Sequence, residues 1–394
     1  MAFLLARSGP APRPHLLAAL GPAGRARAEA FLAACPAHRP TPLATLPGLA
    51  ANLGIGALYL KDEGRRLGLK SFKALGGAYA VMRLALERAS ARLGRGLAPA
   101  ELHAPDVRAA IDGLVVACAT DGNHGRAVAA GARLSGCRSV VFVHEGVSAA
   151  RADAIAAHGA RIVRVPGGYD ASVVEAARRA AEAGWTVVSD TSREGDEAIP
   201  LTVMQGYTVM IGEALDALGT PPTHVFVQAG VGGVAAAVAA HVRARLGDGP
   251  RIVVVEPERA ACVMASARAG RPMGVAHGPS TVMAMLECHE ASPIAIELLL
   301  PLADAYVSLP DEAAIAAMRR LARPVSGDPA IVAGESGGAG FAGLVHCLAD
   351  PGARGALGLG PASRVLCLVT EGATDPVLWR EIVGLDPDPI GPAP

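Results

Sequence analysis

Short apolar runs, turns of small or polar residues and longer helical stretches alternate along most of this chain. Runs at 58–60, 113–118, 139–144, 161–165, 186–189, 224–228, 251–255 and 364–370 are apolar and rich in β-branched residues, the character of buried strands. Helices are expected over 72–93, to about 134 after the glycines at 122 and 125, over 149–158, 170–183 and 202–218, after 233, and over 311–323. Gly94-Arg95-Gly96, Gly159 and Gly184 stop three of them, and Asp170 is expected to cap another. Residues 94–112 read as a surface loop with a short helix. Residues 1–40 are a loosely specified lead-in, rich in Ala, Pro and Arg, with a helix near 24–34. Arg39-Pro40-Thr41-Pro42-Leu43 is a stiff, extended approach to the first strand, and the Pro-rich tail after Leu385 is expected to fray. Strand–helix–strand repetition at this spacing defines an α/β protein with parallel sheets and helices on both faces. No internal repeat interrupts it. In such folds ligands bind at the carboxyl ends of the strands, so the loops there carry the functional argument.

Composition narrows the class. A length of 394 residues accommodates two domains or lobes. The formal net charge is zero, which removes any electrostatic case for nucleic acid or an anionic membrane as a partner. No run of about 18 apolar residues is free of charge and glycine, so no membrane span is expected. The first residues, Met1-Ala2-Phe3-Leu4-Leu5-Ala6-Arg7, lack a basic segment followed by a long apolar core and do not read as a signal peptide. Seven scattered cysteines without a C-x-x-C pattern suggest reduced thiols and a cytoplasmic setting, and no metal site is expected. Cys288-His289 reads as an incidental neighbour pair.

Of 36 basic residues only three are lysine, Lys61, Lys70 and Lys73, within one short stretch. Arginine cannot form an imine because its guanidinium stays protonated, so a lysine surviving in an arginine-rich chain is a candidate for amine chemistry. Lys73 is the strongest of the three. It sits where a strand leads into a helix, in Ser71-Phe72-Lys73. A second loop, Asp121-Gly122-Asn123-His124-Gly125, has glycines that allow close approach and an asparagine that both donates and accepts; an Asx turn capping the helix is the alternative. A third, Ala229-Gly230-Val231-Gly232-Gly233, leads into a helix and would present backbone N–H groups to an anion. It lacks the Lys-Ser/Thr of a P-loop and is not a clean G-x-G-x-x-G, so a monophosphate fits better than a triphosphate or a dinucleotide. A close-packing turn is the alternative. The fourth is Thr370-Glu371-Gly372-Ala373-Thr374-Asp375, where Thr370 could hydrogen-bond a ring nitrogen or cap a helix. An imine-forming lysine beside a monophosphate cradle points to pyridoxal 5'-phosphate.

With these residues in view, the chain resembles the fold-type II, or tryptophan synthase β-like, family of pyridoxal-phosphate enzymes, and within it the diaminopropionate ammonia-lyases above the serine and threonine dehydratases. Ser71-Phe72-Lys73, Gly122-Asn123-His124 and Gly230-Val231-Gly232-Gly233 match the lysine, ring and phosphate motifs. Lys61-Asp62-Glu63, Leu67-Gly68-Leu69, Ser189-Asp190-Thr191-Ser192, Met204-Gln205-Gly206-Tyr207, Gly334-Glu335-Ser336-Gly337 and Thr370-Glu371-Gly372 extend the likeness from about Thr41 to Asp375. Ala229, where many relatives have glycine, and Arg193, where an aromatic residue is expected, depart from it. The resemblance implies two three-layer α/β/α domains, a large one of residues 1–85 and 210–394 and a small one of 86–209 closing over the site. It also implies a homodimer. It makes Lys73 the imine-forming lysine with Phe72 beside the cofactor, Asn123 the partner of the ring hydroxyl, Gly230, Val231, Gly232 and Gly233 the phosphate loop, and Thr370 the neighbour of the pyridine nitrogen. Glu335 would contact the ring or lie under it, or else belong to a structural turn. His124 is expected to pack or orient rather than act as a base.

The dehydratases usually have a hydroxyl residue just before Gly-Asn-His; this chain has Asp121. A carboxylate there would attract a second ammonium on the substrate and could accept its α-proton. Asp190 offers another at a different strand end, and Thr120 and both aspartates are the expected substrate contacts. The expected reaction is elimination of ammonia from 2,3-diaminopropionate, in L and possibly D form, giving pyruvate and ammonia. A helix cap is the alternative reading of each aspartate. Serine or threonine dehydration is the alternative within the family, and a non-catalytic metabolite-binding relative is the alternative outside catalysis.

Overall fold

The computed structural model describes residues 2–6, 9–193, 195–325 and 327–387. Most of the Pro-rich tail therefore lies outside the described residues. Among the described residues eleven strands form two sheets: β1 Ala2–Leu5, β2 Leu43–Thr45, β3 Ala57–Asp62, β4 Val115–Ala119, β5 Arg138–His144, β6 Arg161–Val165, β7 Thr186–Val187, β8 His224–Gln228, β9 Arg251–Pro257, β10 Ala305–Leu309 and β11 Arg364–Val369. The larger sheet has the order β1-β10-β9-β8-β11-β3-β2, the smaller one β6-β5-β4-β7. The smaller is wholly parallel. The larger is parallel from β10 to β3, but β1 and β2 are antiparallel edges. The all-parallel expectation is corrected there, because hydropathy reports burial and not strand direction. β8, β9 and β11 are almost entirely buried, as strands covered on both faces must be.

Two expectations along the chain change. Asp170 does not cap its helix, which runs Tyr169–Ala183 from Gly168 without a side-chain cap. Asp170 lies in the first turn with an exposed side chain, where its charge still suits the helix dipole. The strand expected over 186–189 is regular only at Thr186–Val187, although the Val188 N–H still donates to Ala117 O at 2.8 Å.

Six helices frame the strand ends: α1 Lys73–Leu93, α2 Asn123–Ser135, α3 Ala149–Ala156, α4 Ala198–Ala217, α5 Gly233–Leu246 and α6 Cys262–Ala269. Helix α1 joins the two sheets by packing on α2, beside the small sheet, and on α4. Both contacts run backbone to backbone. A Cβ at Gly206 of α4 would lie 2.4 Å from Leu75 O, and one at Gly131 of α2 would lie 2.7 Å from Ala78 Cα. No helix among the described residues is long and apolar enough to cross a membrane.

Candidate active site at the carboxyl ends of the strands

The segment that delivers Lys73 is anchored by a buried cluster of charges. Lys61 leaves β3 into the interior, where its Nζ is 2.6 Å from Glu213 Oε2 on α4 and donates to Thr41 O. Arg66 pairs with Glu63 through Nε at 2.7 Å and Nη2 at 2.8 Å, and with both oxygens of Glu213. Thr41 Oγ1 donates to Glu63 Oε1 at 2.6 Å. Burial holds the Lys61 ammonium below its ordinary pKa despite these carboxylates. Burial would raise the Glu213 carboxyl, but the hydrogen bonds and charges of Arg66 and Lys61 outweigh it and hold the group low. Lys61 is thus structural. Lys70 stands at φ +55 in the turn that follows, a conformation a non-glycine residue holds only when its surroundings impose it.

That turn is stitched to the loop after β11. Phe72 N–H donates to Thr370 O at 2.9 Å, Gly372 N–H donates to Lys70 O at 3.0 Å, and Ser71 faces Glu371. Lys73 opens α1 with its Nζ paired to Asp190. The ammonium lies 5.3 Å from the Phe72 ring centroid and 5.9 Å from that of Tyr207, and the two rings are 4.7 Å apart. Burial opposes its charge, yet the Asp190 carboxylate prevails and keeps the lysine protonated well above its ordinary pKa. Asp190 is held low in turn: burial would raise it, and Lys73 pulls it down. His124 donates from Nε2 to Val188 O at 2.8 Å and points Nδ1 at Asp190, 3.9 Å away. Burial lowers its pKa, so the ring is a neutral spacer that orients the pair.

On the second loop, Thr120 does the capping. Its Oγ1 accepts the N–H groups of Gly122 at 3.0 Å and Gly125 at 3.1 Å. This releases Asp121 from the capping alternative and commits the oxygen of Thr120 to the backbone. The Asp121 Oδ1 lies 2.9 Å from His144 Nε2. Burial raises this carboxyl above its ordinary pKa, although His144 and Arg151 of α3 oppose the rise. Asn123 donates from Nδ2 to Glu371 Oε2, so it is not the Asx turn of the alternative reading.

The third loop has the makings of a phosphate site. None of the N–H groups from Gly230 to Gly233 has a backbone acceptor among the described residues, and α5 starts at Gly233 with no side-chain cap. The Val231 N–H faces the Cys288 thiol, a weak acceptor. Gly232 has φ +98, which favours glycine and tips the loop toward the helix end. The loop is tied to the Asp190 segment. Ser292 N–H donates to Val231 O at 2.9 Å, and Ser292 Oγ accepts the Ser192 N–H at 3.1 Å. Cys262 of α6 donates from Sγ to Gly230 O at 3.5 Å.

The fourth loop holds a buried polar floor. Gln228 donates from Nε2 to Thr370 Oγ1 at 2.6 Å, which leaves the threonine hydroxyl proton to donate elsewhere. Glu371 is fully enclosed, and burial with repulsion from Glu335 pushes its carboxyl up to about 8. Burial also raises Glu335, whose Oε1 lies 3.8 Å from Arg151 Nη2. Uncapped N–H groups, a lysine clamped by aromatic rings and a hydroxyl with a free proton form a donor set suited to pyridoxal phosphate. The fit is carried by the backbone donors of Gly230–Gly233, which an apolar packing turn has no reason to leave open.

Gln228, Arg151, His144, Tyr207 and Glu371 were not functional candidates from sequence. Gln228 had a signal, a lone polar residue closing an apolar strand. Tyr207 and Glu371 lay in matched strings without an assigned role. Nothing in the pattern marked Arg151 or His144.

A sheet pair with an amine, an anion cradle and two carboxylates at its strand ends defines a cofactor-dependent α/β enzyme site. Residues 34–371 match the model of the family described as pyridoxal-phosphate dependent enzyme, and the chain belongs to that family. Diaminopropionate ammonia-lyase of Escherichia coli (strain K12) is 36% identical over 354 residues, covering 88% of this chain and 87% of the relative. That of Salmonella typhimurium (strain LT2) is 36% identical over 366 residues, 90% of each. A crystal structure of the Escherichia coli ammonia-lyase in complex with D-serine superimposes with a TM-score of 0.87 at 33% identity, covering 97% of this chain and 96% of that one.

Proposed function

We propose that this chain catalyses the pyridoxal-phosphate-dependent elimination of ammonia from 2,3-diaminopropionate, L and D, with hydrolysis of the released 2-aminoacrylate to pyruvate and a second ammonia. The carrying observation is that two aspartates follow adjacent strands, Asp121 released from capping by Thr120 and Asp190 held against Lys73.

When bound, pyridoxal phosphate supplies the electron sink that makes the α-proton acidic. The protein does the rest. The N–H groups of Gly230, Gly232 and Gly233, with that of Val231 now at the Cys288 thiol, lie at the positive end of α5 and would hold the phosphate. The Thr370 hydroxyl, its oxygen engaged by Gln228, keeps a proton that would be donated to the pyridine nitrogen as a neutral hydrogen bond, which would suit elimination. Asn123, backed by Glu371, would meet the ring hydroxyl, and Phe72 would pack beside the ring. Lys73 supplies the amine, and Phe72 and Tyr207 exclude water from it. Asp121 and Asp190 take the α-proton from opposite configurations and attract the substrate's second ammonium. The β-ammonium departs as neutral ammonia, taking the C–N bonding pair, so it needs no further proton, and the aspartate holds the α-proton until the product is released.

The small lobe of 86–209 holds the whole four-stranded sheet, and the large lobe of 1–85 and 210–394 holds the other, so the division falls inside α1. We place the enzyme in the cytoplasm as a homodimer acting on a small amino acid.

The test is release of 2-oxo acid by the purified holoenzyme from L- and D-diaminopropionate, L-serine and L-threonine, each supplied separately. Turnover of diaminopropionate well above both hydroxy amino acids is expected. Preference for serine or threonine would keep Lys73 and the fold and overturn the role given to Asp121.

A further inference from the structure

His144 ends β5, the strand beside β4, whose last residue is Ala119. The tautomer of its ring follows from its neighbours. Gly146 N–H donates to Nδ1 at 3.1 Å, and a nitrogen that accepts carries no proton. The neutral ring therefore holds its proton on Nε2, the nitrogen that lies 2.9 Å from Asp121 Oδ1. The contact is close, yet it does not complete a hydrogen bond and leaves the buried Asp121 Oδ1 unsatisfied, so it steers the carboxylate and does not lock it. The turn depends on glycine, because a Cβ at Gly146 would lie 2.8 Å from His144 Cε1 and push the ring away. Arg151 places a positive charge near Asp121. Both members of the pair keep an edge to solvent, 23% of the His144 side chain and 30% of the Asp121 side chain. Asp190, with Lys73 and His124, is more enclosed.

We propose that His144 is a positioning residue for Asp121: its Nε2–H orients the carboxylate and stabilises its charged form while it takes the α-proton from one enantiomer of the substrate. The Asp190 half serves the other enantiomer without His144. This rests on the reading of Asp121 as a base. A residue that merely supports the fold would affect both enantiomers alike.

The experiment measures kcat and KM of the holoenzyme on D- and L-diaminopropionate in wild type, Asp121→Asn, His144→Leu, His144→Gln and His144→Asn. Glutamine places an amide N–H near the position of Nε2, whereas asparagine ends short of Asp121. Asp121→Asn identifies the enantiomer that depends on Asp121. For that enantiomer His144→Leu and His144→Asn are expected to lower kcat about tenfold, and His144→Gln to recover most of it, with the other enantiomer within about twofold of wild type throughout. An equal loss on both enantiomers, no loss, or an asparagine variant as active as the glutamine one would overturn the proposal. If Asp121→Asn leaves both enantiomers unchanged, the reading of Asp121 as a base fails, and the role of His144 falls with it. His144→Gln against His144→Asn keeps the test decisive if His144→Leu does not fold.

Discussion

Asp190 and Asp121 follow neighbouring strands of the small sheet, yet the protein holds them in opposite ways. Asp190 is packed against Lys73 and a neutral histidine, and the ion pair keeps it charged in spite of burial. Asp121 has only an imidazole and a more distant arginine, and burial wins, raising its carboxyl. The lesson is that burial alone does not set a carboxylate's state: the ammonium in contact with Asp190 outweighs desolvation, and the imidazole and arginine near Asp121 do not. One aspartate is a preset counter-ion tied to the Gly230–Gly233 loop through Ser192 and Ser292; the other is an acid closer to solvent and easier to protonate.

The largest effect is expected at the residue both carboxylates serve. Lys73→Ala should cut turnover of both enantiomers by about 10³-fold or more and remove the absorption band at about 400–420 nm. Retained turnover would dissolve the comparison altogether. Next, Asp190→Asn and Asp121→Asn should each lower kcat by about 10²-fold on opposite enantiomers, read by coupling 2-oxo acid release to a reductase. If Asp190→Asn slows both equally, that carboxylate works on Lys73 and not on the substrate. A smaller effect tests the frame under Lys73. Gly206→Ala would ordinarily stabilise a helix by about 0.5–1 kcal/mol. Here the new methyl meets Leu75 O, and a net loss of about 1–3 kcal/mol is expected in denaturant unfolding of the holoenzyme.

The smallest effect concerns Glu256, which braces α6, and so the residue that bonds Gly230 O, by accepting the N–H groups of Val263 and Met264. Burial pushes this carboxyl up to about 8 from its ordinary 4.5, although both N–H groups oppose the shift. The folded protein then binds a proton that the unfolded chain releases. The stability this group contributes is complete below about pH 4.5 and is lost as pH rises toward 8. The Tm of wild type should therefore fall relative to Glu256→Gln between those limits, and parallel Tm profiles would contradict the assignment.

The strands at 161–165 and 224–228 and the helix from Lys73 were legible because each couples an uninterrupted pattern to a glycine or polar stop. The antiparallel edges were not, since pairing direction leaves no periodic mark. Lys73 stood out because its competitors had all become arginine. The loops themselves were legible as places for chemistry, but their internal wiring was not. That Thr120 and not Asp121 caps α2, or that Asn123 leans on Glu371, depends on contacts between residues far apart in the chain. His144 lies on a different strand from its aspartate and had no local signature.

The cluster of Lys61, Glu63, Arg66 and Glu213 also constrains how this protein can change. Two positive and two negative groups balance in a dry interior. Replacing any one of them strands a charge, at a cost of about 3–5 kcal/mol. That is a large share of the roughly 5–15 kcal/mol that holds a typical domain together. Exchanging the whole set for well-packed apolar residues would cost far less. A lineage starting from this sequence can therefore reach that alternative only through compensated pairs of mutations, and the road to Lys73 is closed to single-step drift.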